Sequence, residues 1–83
     1  MLYKEERLMN IAEMTIHLHQ DLLPMHKVRL EEEVRVLEGV TGARFNIRIK
    51  HWLSVVYDSE SITAKMILNQ VRQWDKDAVF VSY

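Results

Sequence analysis

Apolar and polar residues alternate strictly from Ala12 to His19, with Ala12, Met14, Ile16 and Leu18 set against Glu13, Thr15, His17 and His19. A period of two predicts a strand with one buried face. The period then changes. Past a short loop from Gln20 to Leu23, Pro24 stands where a first helical turn accepts proline, and Leu30, Val34 and Leu37 recur at helical spacing. Gly39 follows the last periodic residue, where a left-handed helix end wants it, which predicts a helix of about 14 residues.

Alternation returns in Arg44 to Ile49, where Phe45, Ile47 and Ile49 face one way and Arg44, Asn46 and Arg48 the other. It returns again in Leu53, Val55 and Tyr57, and two such runs this close read as a hairpin. Asp58 to Ser61 is turn chemistry. Thr63 suits an N-cap, with Ile62 and Ile67 placed as a hydrophobic staple, and Ile67, Val71 and Trp74 form the stripe of a second helix. Asp75-Lys76-Asp77 ends that helix, and Ala78 to Ser82 predicts a last strand. The order βαββαβ, with right-handed crossovers, gives an α+β ferredoxin-like fold: a four-stranded antiparallel sheet with two helices on one face. Residues 1–10 read as an extension and residues 11–83 as one domain.

Composition narrows the function. The chain has 83 residues, 48% of them apolar and 28% charged, which is globular and enough for one core. Its net charge of −1 disfavours a domain held on nucleic acid by phosphate neutralisation. No apolar run is long enough to insert in a membrane, and the first residues lack the apolar core of a signal peptide, so a cytoplasmic location is expected. Zero cysteine excludes disulfides, thiolate metal sites and a thiol nucleophile. Two glycines leave no phosphate-cradling loop, and Ser54, Ser59 and Ser61 have no histidine at a recognisable catalytic spacing, so the chain does not read as an enzyme.

Two stretches resemble the heavy-metal-associated domain family. Leu30 to Val40, L-x-x-x-V-x-x-L-E-G-V, is similar to that family's first helix and its Gly-Val exit. Val55 to Val71 is similar to its third strand, Tyr-Asp turn and second helix. The resemblance spans residues 12–82 and departs at the metal loop. Where the family carries Met-x-Cys-x-x-Cys, this chain has Asp21 for the methionine, and Leu23 and His26 for the cysteines. Asp75 stands where the family often has a glycine.

The loss of thiolates argues against copper(I), which soft ligands select. Histidine is the remaining ligand. His26 is the first candidate, because it falls on a ligand position implied by the resemblance. His19 and His17, which share a strand face, come next, with Asp21 and Met25 as helpers. Imidazoles with a carboxylate suit Zn²⁺, Ni²⁺, Co²⁺ or Cu²⁺. The bland alternative is that these are ordinary polar positions on a strand and a helix end, with no metal bound. The resemblance implies a partner of similar fold, such as a metal-transporter domain. The metal-free alternative is an interaction domain that self-associates through the open sheet face, where Trp52 and Val56 would lie beside Arg44 and Arg48. RNA binding there is disfavoured, because Trp52 is the one stacking platform.

Overall fold

The computed structural model describes residues 10–81. The expected extension, apart from Asn10, and the end of the last strand at Ser82 lie outside the described residues. The elements are β1 (Ile11–His17), α1 (Pro24–Arg35), β2 (Val40–Phe45), β3 (Trp52–Asp58), α2 (Ala64–Val71) and β4 (Val79–Phe80). All neighbouring strands are antiparallel, in the spatial order β2-β3-β1-β4. This is the ferredoxin-like βαββαβ arrangement.

The core gathers one parity of each strand under the two helices. Ile16 of β1, Ala43 and Phe45 of β2, and Leu53, Val55 and Tyr57 of β3 are buried with Leu30 and Val34 of α1 and Ile67, Leu68 and Val71 of α2. Fully burying an aliphatic side chain stabilises by roughly 1.5–3 kcal/mol, so this cluster supplies most of the fold's driving force. Most of its members are residues that the two periodicities single out; Ala43 and Leu68 join them, and Ile47 and Ile49 do not. The N-cap also holds: the backbone N–H of Met66 donates to Thr63 Oγ1 at 3.2 Å, and Ile62 and Ile67 are both buried. Met66 itself is exposed, because it lies one residue away from the stripe formed by Ile67, Leu68 and Val71.

The second strand departs from expectation. It starts at Val40 and stops at Phe45, so Ile47, Arg48, Ile49 and Lys50 sit in the hairpin turn rather than in the sheet. The cause is local. Asn46 Oδ1 accepts hydrogen bonds from the N–H groups of Arg48 and Ile49, both at 2.7 Å, and so offers the backbone a turn instead of a ladder. His51 closes the turn with a φ of 69°, in the left-handed region.

The glutamate run of α1 does more than face solvent. Glu31 Oε2 accepts from the N–H of Phe45 at 2.7 Å, and Arg35 Nε donates to the carbonyl of Ala43 at 3.2 Å. Glu31 and Arg35 also pair with each other at 3.2 Å. Together they occupy backbone groups along the free edge of β2, which would otherwise invite another strand. Glu33 Oε1 accepts from Trp74 Nε1 at 2.8 Å and from Gln70 Nε2 at 3.3 Å, which joins the two helices.

Gly39 is not the helix cap expected from the sequence. α1 ends at Arg35 with Val36 as a right-handed C-cap, which leaves Leu37 beyond the helix. Gly39 takes its positive φ in the turn that leads into β2. Its φ is +96°, and an added Cβ would lie 2.8 Å from Ser61 Cβ and 3.0 Å from Ile62 Cγ2. A Cβ on Gly42 meets nothing within 4 Å. Gly39→Ala should therefore lower unfolding free energy by more than ~1 kcal/mol in urea titration, while Gly42→Ala stays within about 0.5 kcal/mol of the native chain. Equal effects at both positions would show that the turn is not constrained in this way.

Candidate functional site

The end of the sheet where β1 leaves and β3 begins collects the chain's polar chemistry. β1 ends at His17, opposite Trp52, and the next residue, Leu18, donates its N–H to the carbonyl of His51 at 2.8 Å. The loop from His19 to Leu23 is then fastened from below by Asp75, whose side chain is 1% exposed. Asp75 Oδ2 accepts hydrogen bonds from the N–H groups of His19 and Gln20, the latter at 2.9 Å, and Oδ1 accepts from the N–H of Asp77 at 3.0 Å. Burial alone would raise the pKa of this carboxyl. The N–H groups of Gln20, His19 and Asp77, with a favourable field from His19, outweigh burial and hold it below the ordinary 3.8. In the sequence Asp75 stands as a helix breaker. Its one signal was a carboxylate where the resembled family often has glycine.

The imidazoles gather above that clasp. The rings of His17 and His19 have centroids 4.9 Å apart, and His51 joins them with its ring 6.3 Å from His17. Asp21 Oδ1 lies 3.9 Å from His51 Nε2. No local pattern marks His51, since only the pairing of β1 with β3 brings it beside His17. His26 is placed differently. It lies in the first turn of α1, half-buried, with its ring 5.6 Å from that of Trp74. Met25 and Leu23 are exposed at the start of the same helix. Leu23 is the N-cap residue, and its carbonyl accepts from the N–H groups of His26 and Lys27.

Chemically, the loop offers copper(I) no thiolate, and Met25 is the one soft donor beside it. The histidine pair has a ring spacing compatible with a harder ion. With metal–nitrogen bonds of ~2.0–2.1 Å, a tetrahedral ion sets two imidazole centroids roughly 5 Å apart. His17 and His19 already have that spacing. Among the described residues, no group of three or more His, Asp or Glu side chains is arranged to hold a metal. His17 and His19 form a close pair, with His51 and Asp21 farther off.

The other surface expected from the sequence is only partly assembled. Trp52 and Val56 share the open sheet face, and Arg44 lies there opposite Ser54. Arg48 leaves that face for the hairpin turn.

No protein-family model and no curated protein matches the chain. Solved structures do. The N-terminal soluble domains of Bacillus subtilis CopA align with a TM-score of 0.72 at 19% identity over 82% of this chain. The chain spans 46% of the length of that structure. The CsoZ metallochaperone aligns with a TM-score of 0.68 at 21% identity, covering 87% of this chain and 99% of the other. A copper form of a singly substituted Bacillus subtilis CopA aligns at 0.69 and 19%, covering 90% and 95%. The protein therefore has the fold of heavy-metal-associated domains. Among the described residues, no helix is long and apolar enough to cross a membrane.

Asp75→Asn tests the clasp. The folded carboxyl titrates below its unfolded value, so its stabilisation is complete above about pH 4 and fades as pH falls through the folded pKa. The variant should lose ~1–3 kcal/mol at pH 7 and show a flatter stability profile below pH 4, measured by urea unfolding at a series of pH values. An acid limb as steep as that of the native chain would rule Asp75 out as its source.

Proposed function

We propose that the protein is a small binding module that takes up a divalent transition metal ion through imidazole nitrogens, rather than an enzyme or a copper(I) carrier. The observation that carries this reading is the His17–His19 spacing of 4.9 Å at the loop end of a heavy-metal-associated fold. His17 and His19 are the primary ligands, and His51 and Asp21 complete the set. Zn²⁺, Ni²⁺, Co²⁺ and Cu²⁺ are the ions that such donors suit. His26 contributes less, because its ring is engaged with Trp74.

The scaffold supports the same reading. One similar structure is a metallochaperone and another is a copper form of CopA. In this chain the framework would present imidazole and carboxylate donors at its loop end. Its partner in metal exchange is a protein domain of similar fold, which would approach the loop where His19, Asp21 and Leu23 are exposed.

Calorimetric titration with Zn²⁺ and Ni²⁺ tests the proposal. His17→Ala and His19→Ala should each weaken binding at least tenfold, and His26→Ala should change it less than about threefold. His51→Gly removes the imidazole while suiting the positive φ, and should cost affinity without costing stability. The reading fails if the native chain binds neither ion at micromolar concentration, or if His26→Ala is the variant that abolishes binding.

A further inference from the structure

The β2–β3 hairpin carries a second feature, independent of the metal reading. Residues 44–51 hold Arg44, Arg48 and Lys50 and no carboxylate, in a chain whose net charge is −1. Among the described residues, no carboxylate forms an ion pair with any of the three. Ile47 projects from the same turn with 96% of its surface exposed, the most of any large apolar side chain among the described residues. Ile49 is exposed beside it. The turn is not loose: the two hydrogen bonds to Asn46 Oδ1, and one from the N–H of Asn46 to the carbonyl of Trp52 at 2.8 Å, fix its shape. An ordered turn thus holds an isoleucine away from the core between cations. Beside it, Arg44, Asn46, Arg48 and Ser54 line an open concavity of about 340 Å³.

We infer that this hairpin docks the protein on an anionic phospholipid surface, with Ile47 and Ile49 entering the headgroup–acyl boundary and Arg44, Arg48 and Lys50 meeting lipid phosphates. The charge pattern selects an anionic partner. The apolar tip selects a fluid one, because a bilayer closes around a protruding side chain and needs no preformed pocket. Basic residues beside an apolar tip combine two weak signals of the kind that reversible membrane attachment requires. The attachment is peripheral.

Vesicle co-sedimentation of the full 83-residue chain is the test, comparing pure phosphatidylcholine with phosphatidylcholine containing phosphatidylglycerol. Partitioning should be at least tenfold greater on the anionic vesicles and fall steeply with salt. Ile47→Asp, which leaves the Asn46 turn intact, should lower it about tenfold, and the Arg48→Glu/Lys50→Glu double variant should abolish it. Met66→Asp, an exposed change on α2, should leave it unaltered, with far-UV circular dichroism confirming that every variant folds. Equal binding to neutral vesicles, or none to anionic vesicles at low salt, overturns the inference. So does full binding by Ile47→Asp, which would reduce the effect to charge alone. Release by millimolar glycerol phosphate beyond that caused by equal ionic strength would mean that the hairpin reads a free phosphate instead of a leaflet.

Discussion

One buried carboxylate sets the geometry of the candidate site. Asp75 lies below the loop that leaves β1 and takes the N–H groups of His19 and Gln20, while its other oxygen holds Asp77 at the entry to β4. A buried carboxylate without such partners would cost several kcal/mol, so the charge is tolerable only because the backbone donors converge on it. The constraint works in both directions. The donors keep Asp75 ionised, and Asp75 keeps the backbone at His19 and Gln20 in one shape. From that shape follow the placement of the His19 ring against His17, the position of Asp21 near His51, and the entry of the chain into α1.

This end of the molecule carries its own polar chemistry on a shared fold. Cysteine is absent, and the loop is organised by hydrogen bonds to oxygen. Imidazoles from three segments meet over it: His17 from a strand, His19 from a loop and His51 from a turn. The framework beneath is conventional for the fold, with two helices over one face of a four-stranded sheet and an apolar core between them. The scaffold and the chemistry at its tip are therefore separable, as expected when function resides in a site carried by a fold.

Control of the sheet edge is part of the same economy. β2 is an edge strand in a small domain, and its outward backbone groups at Ala43 and Phe45 are taken by Arg35 and Glu31 of α1. The glutamate run looks like a uniform solvated face. Packing divides it into an edge guard at Glu31, an exposed Glu32 and an interhelical acceptor at Glu33. Repetition of one residue type along a helix says nothing about which copy meets a neighbour, since that depends on where the second helix and the edge strand lie.

Local sequence carries the fold class, the element order, Leu30 and Val34 of one helix stripe, Ile67 and Val71 of the other, the Thr63 cap and the positive φ of Gly39. Each depends on residues close together in the chain, through period, capping or allowed φ. It also determined that thiolate chemistry is impossible. Tertiary structure decided the rest. Alternation at Ile47 and Ile49 looked like strand because a period of two records apolar spacing and cannot weigh it against a turn closed by Asn46. His51 joins His17 across 34 residues, and Asp75 reaches His19 across 56; only strand pairing and helix packing bring such groups together. A local pattern specifies how each segment folds, and the contacts that assemble a site depend on how distant segments pack.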